Sequence, residues 1–120
     1  MRIVIDLDGV LCKIKQPGQS YADVEPIPGA PERLREFRAA GHTVVIYTAR
    51  NMATYDGNLG KIMKNVGLIT LEWLEEHGME FDEIYFGKPN GHVYIDDRAV
   101  HFQGWENLDQ NDLVKEARDR

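Results

Sequence analysis

Short apolar runs separated by polar, glycine-containing segments are the main pattern along this chain. Four of them contain the β-branched and aromatic residues that favour strands: Ile3–Ile5, Thr43–Tyr47, Glu83–Phe86 and His92–Ile95. The first is apolar at every position, which predicts a strand buried on both faces, as in a parallel sheet.

Helical periodicity fills the two longer intervals between the strands. Pro31 suits the first turn of a helix, and Gly41 ends it. Ile27, Leu34 and Phe37 fall roughly on one face. A second helix is predicted from apolar residues spaced four, three and four apart: Ile62, Val66, Ile69 and Trp73.

The order of these elements predicts an α/β fold. A short helix from about Asn107 completes the order β-α-β-α-β-β-α, which implies a mostly parallel sheet with helices on its faces. A chain of 120 residues favours a single domain over residues 1–120. Residues 12–27 carry few packing signals, and we expect them to form a flap over the end of the first strand.

A charged or hydroxyl residue stands at the end of each predicted strand: Asp6, Thr48, Lys88 and Asp96. In an open α/β sheet, ligands bind outside the carboxyl ends of the strands. A second carboxylate accompanies each acidic member, as Asp8 follows Asp6 and Asp97 follows Asp96. We therefore expect these side chains to meet at one rim and form a site.

Four carboxylates at one rim require a cation. Without one they would repel each other, and some would take up protons. Mg²⁺ prefers oxygen ligands and binds through one or two carboxylates together with a substrate phosphate. The acidic set therefore predicts a Mg²⁺ site for a phosphorylated substrate, with the candidate ligands Asp6, Asp8, Asp96 and Asp97.

The other rim residues suit the phosphate itself. Lys88 would donate to phosphate oxygens as a point charge, and Thr48 through its hydroxyl. Backbone N–H groups around residues 48–50, including that of Ala49, can form an anion-binding nest. A cation between acids and phosphate neutralises the charge that builds up during phosphoryl transfer.

This set of motifs resembles the haloacid dehalogenase-like (HAD) superfamily of Mg²⁺-dependent phosphatases. Its four motifs are matched in order by Asp6-Leu7-Asp8-Gly9-Val10-Leu11, Thr48, Lys88 and Asp96-Asp97. The resemblance implies a Rossmann-like three-layer α/β/α sandwich with a mostly parallel sheet. Neither residues 12–27 nor residues 51–87 leave room for the cap domain that the family often carries, so a capless member is expected.

The resemblance also implies catalytic roles. Asp6 would be the nucleophile that forms an aspartyl-phosphate, and Asp8 would be the general acid and then the general base. Thr48 and Lys88 would hold the phosphoryl group. The implied metal ligands are Asp6, the backbone carbonyl of Asp8 and Asp96, with Asp97 supporting the metal or Lys88. Arg98, Ala99 and Val100 follow where the family commonly has a further Asp, which leaves the division between Asp96 and Asp97 open.

An open, capless site suits a larger substrate, unless the flap or a neighbouring subunit covers it. A homo-oligomer is therefore one expectation. Some similar short members are linked to capsule polysaccharide metabolism, which favours a phosphosugar as the small phosphorylated substrate.

Composition narrows the partners and the compartment. The net charge is −6 with no basic stripe, which argues against nucleic acid and anionic membranes as partners. No apolar run reaches the roughly 20 residues of a membrane helix, and the N-terminus does not read as a signal peptide. Cys12 is the single cysteine, so no disulfide framework is expected, and together these features favour the cytoplasm.

Several residues also have simpler structural interpretations. Asp6 and Asp8 could be turn and cap residues, and Thr48 could be a helix N-cap. Arg50 and Arg98 suit surface ion pairs as well as substrate contacts. The remaining expectations are a buried structural thiol at Cys12, a core position for Trp73 and either a core or an interface position for Trp105.

Two other functions compete with hydrolysis. A signalling receiver domain also combines an acidic pocket with Thr, Lys and a phospho-accepting Asp, although its acid pair comes early in the chain and here a pair comes last. A binding or scaffolding protein that kept the fold but is catalytically weak is the other alternative. Long-lived aspartyl-phosphate without phosphate release would indicate the receiver.

Overall fold

The computed structural model describes residues 1–118, and a three-stranded parallel sheet organises them. The strands are β1 (Arg2–Asp6), β2 (Thr43–Thr48) and β3 (Glu83–Phe86), in the spatial order β1-β2-β3. The helices are α1 (Ala30–Ala39), α2 (Leu59–Ile62), α3 (Leu68–Glu76) and α4 (Gln110–Arg118). The predicted α/β class with parallel strands is confirmed, and it is the arrangement of Rossmann-like folds.

The register of the sheet brings the ends of its strands to one level. Asp6 of β1 pairs with Tyr47 of β2, and Thr48 pairs with Phe86 of β3. Each strand therefore delivers the residues that follow it to the same rim, which is the geometry the sequence pattern requires.

Strand β2 is buried on both faces. Val44, Val45 and Ile46 are each at most 1% exposed, and successive side chains of a strand point to opposite faces. Elements therefore cover the centre of the sheet on both sides, with Leu34 and Phe37 of α1 in the same cluster as Val44 and Ile46.

The prediction that β1 is buried on both faces is wrong. Ile5 is buried and Ile3 packs against the core, but Val4 between them is 57% exposed. The difference arises because β1 lies at the edge of the three-stranded sheet, so the elements that cover β2 do not cover one face of β1.

The prediction of a fourth strand at His92–Ile95 is also wrong. No ladder forms there within residues 1–118, and all residues from 89 to 101 are exposed. An apolar, β-branched run becomes a strand only when it pairs with a sheet edge, and in this structure the segment pairs with neither free edge of the sheet.

The helical predictions are confirmed with local differences. Helix α1 begins at Ala30, with Pro31 in its first turn. The second helical segment runs from Leu59 to Glu76 and is interrupted by a π-helical turn at Met63–Gly67. This turn includes Gly67, a mid-helix glycine that supplies no side chain for packing.

Residues 12–27 form an ordered flap that returns to the first motif. The backbone of Ile27 donates to the carbonyl of Leu11 at 2.9 Å, and that of Lys13 donates to Glu25 at 2.8 Å. Trp73 of α3 also anchors the flap, because its indole N–H donates to the carbonyl of Val24 at 2.9 Å. The core position predicted for Trp73 is confirmed.

The C-terminal part of the chain packs back onto the core. Trp105 is 2% exposed, its ring lies 6.1 Å from that of Phe37, and its indole N–H donates to the carbonyl of Val10 at 2.9 Å. Trp105 is therefore a core residue. Leu108 and Leu113 contact the same cluster.

Candidate functional site

The first site residues lie where β1 ends and a tight turn begins. The carbonyl of Leu7 accepts hydrogen bonds from the backbones of Leu11 at 2.9 Å and Cys12 at 3.2 Å. Gly9 has φ 89°, a conformation that disfavours side chains, so the turn requires glycine there. This turn keeps Asp6 and Asp8 at the rim while Leu7 between them is fully buried.

Asp6 faces Lys88 across the end of the sheet. The Lys88 Nζ lies 3.5 Å from Asp6 Oδ2, and the Leu7 backbone donates to Asp6 Oδ1 at 2.9 Å. Partial burial raises the pKa of Asp6, and the attraction of Lys88 offsets part of that rise. The structure thus brings together the acid of the first strand and the lysine that follows the third.

Lys88 is positioned by the backbone on either side of it. Its N–H donates to the carbonyl of Thr48 at 3.1 Å, which fixes it at the rim beyond β2. Gly87 before it has φ 100°. The Lys88 ammonium also lies 4.4 Å from the ring centre of Tyr94, a cation–π arrangement.

Thr48 lies at the same rim and is fully buried. Its Oγ1 accepts a hydrogen bond from the backbone of Arg50 at 3.1 Å. A hydroxyl that accepts one hydrogen bond can still donate its own proton. Ala49, the other predicted phosphate contact, follows directly and is partly buried.

Asp8 is held by Arg50, an arrangement that sequence reasoning left undecided. Arg50 is 3% exposed, and its Nε and Nη2 donate to the Asp8 carboxylate at 3.0–3.1 Å. Its Nη1 donates to the hydroxyl of Thr70 at 3.0 Å. The only available signal was its place two residues after Thr48, which did not distinguish a buried guanidinium from a surface one.

The flap packs against this ion pair, in which Arg50 is buried and Asp8 is partly exposed. The ring of Tyr21 lies 4.1 Å from the Arg50 guanidinium carbon. On the other side, the Cys12 thiol contacts Asp8 Oδ1 and Arg50 Nη2, each at 3.4 Å. Burial and the Asp8 charge raise the pKa of Cys12 to about 12, so it is an inert thiol, as predicted.

Asp96 and Asp97 are not part of this group of side chains. Both lie in the exposed segment 89–101, where Asp96 Oδ1 accepts from the backbone of Arg98 at 2.7 Å. Throughout residues 1–118, no group of three or more His, Cys, Asp or Glu side chains is placed to hold a metal ion. The predicted four-carboxylate cluster is therefore not assembled within one chain.

The oxygen donors that do meet at the rim suit Mg²⁺ in kind. Asp6 and Asp8 lie on one turn, with Asp6 open to solvent on part of its surface. Mg²⁺ commonly takes one or two protein carboxylates and completes its shell with water and substrate phosphate. The donor chemistry fits this cation, and a third carboxylate would strengthen the site.

Comparison with known proteins shows that the chain is similar to a protein of known structure. No protein-family model matches it, and no curated protein does. A crystal structure of an MCSG target from Vibrio cholerae matches with a TM-score of 0.86 and 39% sequence identity, over 98% of this chain and 97% of that one. The chain belongs to the same family as that Vibrio cholerae protein.

Among the residues the structure describes, no helix is both long enough and apolar enough to cross a membrane.

Proposed function

We propose that this protein is a capless, HAD-type, Mg²⁺-dependent phosphatase that hydrolyses a phosphate monoester through an aspartyl-phosphate. The observation that carries the proposal is the meeting of Asp6 and Lys88 at 3.5 Å, with Asp8 two residues further along the same turn. A carboxylate nucleophile, a phosphate-binding cation and a second carboxyl are the groups that this reaction needs.

Asp6 is the nucleophile in this proposal. Its carboxylate attacks phosphorus, the bond to the leaving oxygen breaks, and the phosphoryl group is transferred to Asp6. Lys88, the Thr48 hydroxyl and the Ala49 N–H bind the equatorial phosphoryl oxygens, which carry the charge during transfer. Because its pKa is raised, the Asp6 carboxylate is a stronger nucleophile once it is deprotonated.

Asp8 moves the protons. It gives a proton to the leaving oxygen, then takes one from the water that hydrolyses the aspartyl-phosphate. Arg50 is a positioning residue, because the Nε and Nη2 donors of its guanidinium fix the orientation of the Asp8 carboxylate without reaching the rim. Bound Mg²⁺ would be held by Asp6 and the Asp8 carbonyl, with water and substrate phosphate as its other ligands, and would neutralise charge on the phosphoryl group.

The open rim bears on the size of the substrate, because a rim closed only by a short flap admits a bulky leaving group. The resemblance to short family members linked to capsule polysaccharide metabolism favours a phosphosugar. The acidic net charge of −6 is no obstacle, because Lys88 supplies positive potential at the rim.

Hydrolysis of an aryl phosphate, with and without Mg²⁺, tests the function. We expect Mg²⁺-dependent release of phosphate by the wild type and a loss of at least about 10³-fold in Asp6→Asn. Glu72→Gln, which removes an exposed carboxylate on α3, is the matched control and should keep full activity. Equal turnover in Asp6→Asn and wild type would end the nucleophile assignment, and a stable phosphoprotein that releases no phosphate would indicate a receiver.

A further inference from the structure

The segment 89–101, which we name the arm, exposes apolar residues that have the pattern of a strand. It leaves the rim after Lys88, and the chain rejoins the core by Trp105. Within it, Val93 is 76% exposed and Ile95 is 99% exposed. Side chains of this kind are rarely left in solvent so completely beside one another, and such a patch marks an interaction site.

An unpaired sheet edge of matching character lies on the same molecule. Strand β1 has β2 on one side and, within residues 1–118, no strand on the other. Val4 on that edge is 57% exposed. An open edge presents free N–H and C=O groups that pair readily with a strand of another chain.

The arm cannot reach this edge in its own chain. A parallel strand beside β1 would need His92 about 13 Å below the rim and about 14 Å across three inter-strand spacings, a direct distance of about 19 Å. The four residues from Lys88 to His92 span at most about 14 Å. Parallel strands within one chain normally need crossovers of about a dozen residues or more.

A hairpin with β3 in the same chain would not complete the site. It would run His92–Ile95 antiparallel to β3, away from the rim, and would place Asp96 at the opposite end of the sheet from Asp6. A parallel strand beside β1 instead ends at the rim.

One register satisfies both the apolar pattern and the acidic pair. If Ile95 lies level with Ile5, then Val93 lies level with Ile3, and both side chains face the buried side of the sheet. The same register sets Asp96 level with Asp6 and on the same face, with Cα atoms about 5 Å apart. A shift by one residue would turn the apolar side chains away from the core.

We propose that a second copy of this chain supplies the missing strand. The arm of each copy pairs in parallel with β1 of the other, so that a two-fold dimer forms two four-stranded sheets. Each rim then contains Asp6 and Asp8 of one chain and Asp96 and Asp97 of its partner. The open edge and the exposed arm are features of the fold, whereas the parallel direction of the pairing and its role in completing the Mg²⁺ site rest on the proposed function.

Disulfide cross-linking between two single variants tests the pairing without any assay of activity. Val4→Cys and Tyr94→Cys place their thiols on register-matched positions, within the Cα separation that a disulfide tolerates. Mixed and oxidised, the two variants should give a covalent dimer on a denaturing gel. Leu68→Cys in place of Tyr94→Cys is the control, since Leu68 is exposed on α3 outside the arm and should give none.

The outcomes separate the alternatives. A covalent dimer specific to the Val4 and Tyr94 pair supports arm exchange. A monomer at all concentrations, or a dimer that cross-links no better than the Leu68 control, overturns it. Ile95→Lys should convert the dimer to a monomer in light scattering and leave the fold intact, because Ile95 makes no core contact within one chain.

Mixing two inactive variants tests the shared site. Asp6→Asn and Asp96→Asn each break both sites of their own dimer. A mixed dimer regains one intact site, so an equal mixture should recover about a quarter of wild-type activity after subunit exchange. No recovery despite the cross-link would overturn the shared site, whereas a wild type without phosphatase activity would overturn the proposed function and leave the cross-link to decide the exchange.

Discussion

Arg50 shows how strongly a single side chain can depend on its partners. Among the residues the structure describes, it is the one buried arginine, and it binds Asp8 and Cys12 of the first turn and Thr70 of α3. A buried charge without a partner would be very costly, so Arg50 and Asp8 are interdependent. Asp6, in contrast, stays open to solvent and is balanced by Lys88.

Replacing Arg50 tests this dependence. Arg50→Met should destabilise the protein by about 3 kcal/mol in urea denaturation, because it removes the partner of Asp8 and of the Thr70 hydroxyl. The control is Arg38→Met, whose exposed pairs with Glu80 and Asp82 should contribute much less to stability than the Arg50 pair. Similar losses in the two variants would contradict a structural role for the buried pair.

Asp6 predicts a pH-dependent stability difference. Its pKa is raised in the folded protein, so the fold favours the protonated carboxyl, and this contribution is lost as the pH rises through the raised pKa. Asp6→Asn imitates the neutral form at every pH. Its melting temperature should therefore exceed that of the wild type at pH 8, and the difference should shrink towards pH 4. A variant less stable than wild type at pH 8 would contradict this.

At the scale of elements, Gly67 and Gly87 both leave little room for an added Cβ, but glycine stands at the two positions for different structural reasons. Gly67 lies in the π-helical turn with φ −61°, and an added Cβ would lie 2.7 Å from the flexible end of Met63. Gly87 precedes Lys88 with φ 100°, and an added Cβ would lie 2.9 Å from Leu59. Only the second requires glycine for its backbone conformation.

These glycines should respond oppositely to alanine. Gly67→Ala should stabilise the protein by up to about 1 kcal/mol, because Met63 is exposed and can move aside while the helix loses less backbone entropy on folding. Gly87→Ala should cost more than about 1 kcal/mol, since its backbone is strained. Chemical denaturation of the pair checks both signs, and a loss at Gly67 would show that the turn needs glycine.

At the scale of the whole molecule, the open edge of β1 and the exposed arm make stability depend on a second copy. A partner that binds the folded state stabilises it by mass action. The isolated chain leaves Val93 and Ile95 in solvent, and pairing would bury them against Ile3 and Ile5.

The melting temperature should accordingly rise with protein concentration. Between 1 µM and 100 µM we expect an increase of up to about 5 °C for the wild type. Ile95→Lys should remove this dependence. A wild-type melting temperature that does not change over this range would contradict a dimer in which folding and association are linked.

Local pattern predicted most elements because their causes are local. The runs at Ile3–Ile5, Thr43–Tyr47 and Glu83–Phe86 are strands, and the apolar spacing from Ile62 to Trp73 lies in a helical segment. The same reasoning placed Asp6, Thr48 and Lys88 at one rim, because parallel strands deliver their carboxyl ends together. It also placed Cys12 and Trp73 in the core.

The features that could not be predicted from the sequence depend on partners that lie far away along the chain. The pattern of His92–Ile95 predicts a strand, but it does not say which edge the strand joins, and the connection from Lys88 to His92 is too short for a parallel strand beside β1 of its own sheet. The burial of Arg50 depends on Asp8, 42 residues away. By itself, the sequence determined the period of each element and the acidic and basic residues at the strand ends, because those depend on neighbours. Only the tertiary structure decided which carboxylates meet and which edge stays open, because both depend on chain reach and register.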